Sequence, residues 1–272
     1  MGYIDYKEFN SVGEFLAYNQ DHRKTGEERY RASEKAEDED DKWYGTNTID
    51  EAIELATNGW HDRPNVKGLS KQITSSTTAQ INVANTYNDV CGSYVDVGAF
   101  VEGVPENMVQ FADVEAPRIV RIGINLSSNC QQGVNTFKMR GAITLAIVDK
   151  LAEAGYGCEL FVYTVSKCVG QGIHSEKLVI KQADQHLDQD ALTFWCCHPS
   201  ALRRLMFANW ETEKEQRKYE LGSGYGFPLS LDEAPKCTQE KMQADINIDT
   251  VPSSVRDAVS YYNGLVDQIN EL

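Results

Sequence analysis

Three residues with oxygen-bearing side chains, Ser127-Ser128-Asn129, stand just ahead of a segment carrying Lys138 and Arg140, and Arg118 and Arg121 flank the apolar run before them. Hydroxyls, an amide and cations near a helix amino terminus can hold a phosphate or carboxylate, because the first backbone N–H groups of a helix lack intrahelical partners. The chemistry this spacing predicts is gripping an anion. Covalent chemistry has weaker support, since His22, His61, His174, His186 and His198 sit in unlike contexts and none belongs to a nucleophile motif. Neither GxxxxGKS, GxxxxGKT nor GxGxxG opens the helix around Phe137, which disfavours nucleotide hydrolysis. His174 with Glu176, and Asp184, His186, Asp188 and Asp190, have metal-ligating residue types, but the second set reads as a polar loop between strands. No catalytic residue is assigned.

A strand, a turn and a helix must position these groups, and Arg118 to Ser166 supplies them in order. Val120, Ile122, Ile124 and Leu126 share one face of an extended chain, with Gly123 and Asn125 on the other. The polar turn follows, then an amphipathic helix containing Arg140-Gly141-Ala142, then the strand around Glu159-Leu160-Phe161-Val162-Tyr163. That order predicts a parallel βαβ unit, whose ligand crevice opens at the carboxyl ends of the strands. Lys177 to Ile180 reads as a short strand, and the unbroken apolar run Ala191 to Cys197 as a strand buried on both faces. His198-Pro199-Ser200 breaks that run and launches a helix through Leu202, Leu205, Met206 and Trp210. Arg203 and Arg204 on this helix extend the basic track, although adjacent helical residues point about 100° apart.

Upstream, Phe9, Val12, Phe15 and Leu16 predict a helical arm that runs into the charged segment Lys24 to Lys42, with its acidic block Glu37, Asp38, Glu39, Asp40 and Asp41. Thr48-Ile49-Asp50-Glu51 is a capping box that opens a short helix, Asn58-Gly59 ends it, and Trp60 folds back on it. Lys71 to Asn88 is a loop or edge strand, and Val90 to Met108 a turning segment packed on the core. Gly222 to Pro228 is a loop, and Pro252-Ser253-Ser254 caps a final helix with an apolar stripe.

The net charge of −15 is uneven: residues 1–115 carry 10 basic and 22 acidic side chains, 116–210 carry 10 and 7, and 211–272 carry 6 and 12. A mildly basic centre between acidic arms argues against undirected duplex binding but leaves room for a local groove or a basic protein partner. Seven cysteines without a CxxC pair suggest neither a disulfide framework nor zinc; Cys158, Cys196 and Cys197 read as core thiols. No stretch is long and apolar enough for a membrane span and no secretory signal opens the chain, so the expected location is the cytoplasm.

Asn125 to Asn129, the Arg140-Gly141-Ala142 helix and the strand Glu159 to Tyr163 resemble the opening of a von Willebrand factor A-type domain. That family ends its first strand in Asp-x-Ser-x-Ser, whose oxygens hold a divalent metal. Asn125 stands at the Asp position, Ser127 matches the first Ser and Asn129 replaces the second, so the carboxylate is missing and no metal or cofactor is expected. Thr48 to Trp60, Asp89 to Met108, the Arg140 helix and His198-Pro199-Ser200-Ala201-Leu202-Arg203-Arg204-Leu205 also resemble an uncharacterised bacteriophage protein family, which implies expression in the cytoplasm of a host cell.

The expected fold is α/β, a mainly parallel open sheet flanked by helices, A-type or Rossmann-like, with an arm at residues 1–45, a helix-plus-loop segment at 46–115 and a core with a C-terminal helix at 116–272. The expected function is non-catalytic binding or regulation in transcription or replication. Single-stranded DNA, a polymerase or another host protein would be engaged through an anion site of Ser127, Ser128, Asn129, Lys138 and Arg140 and a basic track of Arg118, Arg121, Lys138, Arg140, Arg203 and Arg204. Tyr156, Phe161, Tyr163 and Trp195 are the aromatics near it. Two alternatives remain: a decoy that presents Glu37 to Asp41 to a basic defence protein, and a metal-dependent enzyme using Asn125, Ser127 and a remote Asp.

Overall fold

The structure, a computed structural model, describes residues 4–23, 32–35, 43–82, 86–92, 94–111, 119–167, 172–212, 225–249, 252 and 254–272. Arg118 and the acidic block Glu37 to Asp41 lie outside them. In chain order the elements are β1 (Ile4–Phe9), α1 (Val12–Arg23), α2 (Ile49–Asn58), α3 (Arg63–Ser75), β2 (Thr86–Asp89), β3 (Tyr94–Val95), α4 (Val97–Val101), β4 (Met108–Phe111), β5 (Ile119–Asn125) and α5 (Val134–Glu153). There follow β6 (Gly157–Lys167), β7 (Ile173–Lys181), α6 (Gln189–Cys197), a π-helical turn (Ala201–Met206), α7 (Phe207–Thr212), β8 (Phe227–Pro228), α8 (Lys236–Met242), β9 (Ile246–Ile248) and α9 (Val255–Glu271).

The central sheet runs β1-β7-β6-β5-β9, with β8 pairing β6. β5 pairs β6 in parallel from Ile119 opposite Gly157 to Asn125 opposite Tyr163, so the βαβ unit is present as expected. β9 is parallel to β5 and β1 to β7, while β7 returns antiparallel to β6. The sheet is mostly parallel and flanked by helices, a mixed α/β architecture. Alternation along β6 sends Leu160 and Val162 to the larger core under α5 and α6, and Phe161, Tyr163 and Val165 to a smaller one closed by Leu231, Ala234 and Met242. Among the described residues no helix is long and apolar enough to cross a membrane.

Three expectations change. Ala191 to Cys197 is helix, not strand: the Asp188 carboxylate accepts the Asp190 and Ala191 N–H groups at 3.0 Å each and starts α6. The run is apolar all round because α6 lies between α5, α2 and the sheet, and burial on every side erases the helical period that would have identified it. α5 approaches so closely that a Cβ on Gly141 would meet Cys197 Sγ at 1.8 Å. Second, the amino-terminal arm begins as a strand, β1, whose partner is β7; α1 starts only at Val12. Third, the polar stretch after Lys71 first completes α3, and the residues beyond build a separate three-stranded sheet, β2-β4-β3, with Val90, Val97, Phe100 and Val101 exposed rather than packed on the core.

The capping box holds as read, since Thr48 Oγ1 accepts the Glu51 N–H at 3.2 Å, though Glu51 reaches back to the N–H of Asn47. Gly59, at φ 83°, ends α2, where any Cβ would strike Asp190 at 2.5 Å. The Trp60 ring meets His198 edge-on at 4.8 Å.

Candidate functional site

β5 ends at the buried Asn125, and this amide organises the carboxyl crest of the sheet. Its Oδ1 accepts the Ser127 N–H at 2.9 Å, turning the chain off the strand. Its Nδ2 donates to the Leu229 carbonyl and to Asp249 Oδ1, both at 2.8 Å. Asp249 follows β9 and also accepts the Tyr163 hydroxyl at 2.7 Å and the Leu231 N–H at 3.1 Å. Burial, with the Asp249 charge beside it, pushes the Tyr163 phenol far above its usual range, so Tyr163 stays a neutral donor. Ser127 Oγ accepts the Val165 N–H at 2.7 Å and ties the turn to β6. The crest is thus one carboxylate enclosed by neutral donors.

Beside it opens a cleft of about 400 Å³ with two unlike walls. One is polar, Ser127, Ser128 and Asn129, and there the Ser128 Oγ is buried with no hydrogen-bond partner. The other is aromatic: Phe207 and Tyr225 stack face to face with centroids 3.6 Å apart, Trp43 lies 6.3 Å from Phe207 at 29°, and exposed Phe227 is at the rim. Tyr225 is fixed by donating to the buried carboxylate of Glu211, which also accepts the Ser33 N–H at 3.0 Å. Burial, and then Glu211, keeps this phenol protonated.

Three arginines of the expected basic track, Arg140, Arg203 and Arg204, are buried and serve this architecture from inside, Arg203 also lining the cleft. Arg203 donates to the carbonyls of Trp43 and Gln132 at 2.7 Å and lies 4.5 Å from the Trp43 ring centroid. Fully buried Arg204 donates to Ser33 O at 2.6 Å, Thr46 O at 2.7 Å and Asn47 O at 3.1 Å, tying three chain segments together. Arg140 donates to Cys196 O at 2.9 Å and Asn125 O at 3.0 Å, and burial pulls its pKa down to about 10. Neither Arg140 nor Arg204 is open to a ligand, because the carbonyls ending neighbouring elements are buried and need these donors.

Lys138 forms an ion pair with Asp62 at 2.5 Å and lies 5.3 Å from the Trp60 ring. Because α5 begins at Val134, Lys138 and Arg140 fall beyond its first N–H groups, away from any anion at its terminus. Arg121 is exposed, but four residues of β5 put it about 13 Å from the crest. Of the expected anion site, then, only Ser127, Ser128 and Asn129 come together at the cleft. Phe161, Tyr163 and Trp195 are buried and present no stacking face. The aromatics that do are Trp43, Phe207 and the neighbouring Tyr225 and Phe227, three chain segments that only the fold brings to one cleft. Asp249 had a signal: Ile246-Asn247-Ile248-Asp249 repeats the apolar alternation and polar ending of Ile122-Gly123-Ile124-Asn125.

The A-type resemblance implies a divalent cation at this crest, and the donor set does not fit one. Hard cations need several oxygens converging on a point. Here Asn125 turns its NH₂ group toward Asp249 and Leu229 O, so amide hydrogens stand between the acceptors, and Ser127 Oγ is engaged by Val165. Among the described residues no three His, Cys, Asp or Glu side chains form a group able to hold a metal. The Asp184 to Asp190 set is divided between roles: Asp188 caps α6 and Asp190 pairs with His61 at 3.1 Å.

No curated protein and no solved structure matches the chain. A family model does match residues 5–270, nearly the whole length, and the chain belongs to that family, described as a domain of unknown function (DUF7192).

Proposed function

We propose that the protein is a non-catalytic binding module whose crest cleft takes a flat ring, with the base of a single-stranded nucleic acid as the ligand class that fits best. The observation that carries the reading is the pairing of an aromatic wall, Trp43, Phe207 and Tyr225, with a polar wall, Ser127 to Asn129, across one cleft. A base stacked on such a wall contributes about 1–3 kcal/mol, and its edge needs hydroxyl and amide partners of the kind opposite. Duplex bases are stacked on each other and cannot enter.

Charge sets the expected manner of binding. The chain is strongly acidic, and Arg140, Arg203 and Arg204 are engaged by backbone carbonyls, so few phosphates are neutralised and salt dependence is shallow. A regulator of transcription or replication working in a host cytoplasm, possessed of such a site, would recognise exposed bases rather than the phosphate chain. Fluorescence anisotropy with labelled single-stranded and duplex oligonucleotides over a salt series tests this. The expected result is binding of single strands alone, a shallow salt slope, and at least tenfold weaker binding in Trp43→Ala. Absence of single-strand binding at the lowest salt, or equal binding of duplex, overturns it.

A further inference from the structure

The three-stranded sheet bears a second surface, independent of the cleft. In α4 the residues Val97, Phe100 and Val101 stand at i, i+3 and i+4, the spacing that puts side chains on one side of a helix. That side normally faces a core. Here the three are 69%, 62% and 78% exposed, joined by Val95 at 43% on the adjoining strand and Val104 at 37% on the following turn. Five apolar residues within ten positions thus stay exposed, a grouping of the kind that marks interaction sites on a monomer's surface.

The backbone beneath is well fastened. Asp96 Oδ1 accepts the Ala99 N–H at 3.1 Å, the Phe100 N–H donates to Asp96 O at 2.9 Å, the Val104 N–H to Ala99 O at 2.9 Å, and Asn107 Nδ2 to Val104 O at 2.7 Å. The exposed stripe is therefore a fixed shape, whose ordering entropy is already met before anything binds.

Charge says what kind of partner fits. From Gln72 to Pro117 the chain has no Lys or Arg, while Asp89, Asp96, Glu102, Glu106, Asp113 and Glu115 are all acidic. Asp96, Glu102 and Glu106 border the stripe, and hydrogen bonds from the Ala99 N–H and then Asn88 hold the Asp96 carboxyl below its usual range. A second copy placed on this face sets acid against acid across the rim, whereas a basic rim complements it. We propose that this face docks a basic amphipathic protein segment, apolar at its centre and flanked by Lys or Arg.

The test is hydrogen-exchange footprinting of the full chain with three synthetic peptides: a helical Leu/Lys amphipath, its Leu/Glu counterpart and a Lys-only peptide. The proposal expects the Leu/Lys peptide alone to protect amides of residues 95–104. Affinity should fall at least tenfold in Phe100→Ser with Val101→Ser, and several-fold in Glu102→Lys with Glu106→Lys or at raised salt. No protection by the Leu/Lys peptide, equal protection by Leu/Glu or Lys-only peptides, or self-association in analytical ultracentrifugation that protects the same amides overturns it. The wild-type footprint needs no substitution, so a variant that fails to fold leaves the result standing.

Discussion

Two polar clusters on the central sheet are built on opposite principles. At the crest, Asn125, Tyr163 and the Leu231 N–H surround the single carboxylate of Asp249 with neutral donors, next to an open cleft. At the β1–β7 edge, ionisable groups oppose one another across the register, Asp5 opposite His174 and Lys7 opposite Glu176. His174 lies 3.2 Å from Asp5 and 3.3 Å from Glu176, both His174 and Glu176 are buried, and Trp210 stacks on the imidazole at 4.5 Å. Burial works against charge on His174, but the hydrogen bonds and charges of Asp5 and Glu176 outweigh it and hold its pKa above the ordinary value. Burial likewise pulls the Lys7 ammonium down, with Glu176 and then Asp5 pushing back.

The neutral donors of the crest are all taken up by Asp249 and Leu229 O, so they hold the turn that carries Ser127 and Ser128 in place beside the cleft. The ladder instead sets titratable groups against one another in a buried place, where desolvation is costly. What the ladder does supply is register: a slip of one residue turns Asp5 and Lys7 to the opposite face of the sheet, away from His174 and Glu176. The first cluster fixes the turn beside the cleft and the second fixes strand pairing.

The ladder should therefore be the costlier one to break. Glu176→Ala removes a buried carboxyl group facing both His174 and Lys7 and should destabilise the fold by about 3–5 kcal/mol in urea denaturation. A loss under 1 kcal/mol would mean the ladder is not paired as described. At the crest, Asn125→Asp replaces an amide donor with a second carboxylate against Asp249, costing about 2–3 kcal/mol at neutral pH. Its pH dependence follows from the like charges, which raise the folded pKa of the pair above the unfolded carboxylate value. The variant regains stability below pH ~4 and loses it as pH rises through the folded value; a pH-independent loss would contradict the geometry.

The same contrast explains what was legible in the chain. β5 is legible because Val120, Ile122 and Ile124 alternate with Arg121, Gly123 and Asn125, and the polar turn after it marks the order in which α5 and β6 follow, although both are buried on more than one side. α6 is not, since Leu192 to Cys197 is buried on every side with Thr193 alone polar, and the Asp188 cap is what distinguishes helix from strand. β1 was hidden because its alternating positions carry the ladder's charges, Asp5 and Lys7, which imitate a solvated arm. Ser127 to Asn129 were found by their place after β5. For Arg140, Arg203 and Arg204, residue type says only that a cation is present, while the buried carbonyls that claim it are assembled by the fold.

Two smaller effects sharpen the comparison. Because the folded pKa of His174 is raised, its contribution is fully present below the ordinary histidine value of about 6.5 and is lost as pH rises through the folded value. Wild-type stability should decline through that window, and His174→Gln should flatten the decline; an unchanged slope would mean the imidazole is neutral throughout.

The finest distinction lies within the crest. Ser127→Ala deprives the Val165 N–H of its acceptor and should cost about 1 kcal/mol. Ser128→Ala removes a buried hydroxyl that has no partner, so stability should stay within about 0.5 kcal/mol of wild type. Binding should respond in the opposite proportion, with Ser128→Ala weakening single-stranded oligonucleotides several-fold in anisotropy titrations. Adjacent serines would then separate the two uses of the turn, one hydroxyl closing the sheet and its neighbour left for what enters the cleft. Equal stability losses in the two variants would mean that Ser128 is structural and that the polar wall is not reserved for a ligand.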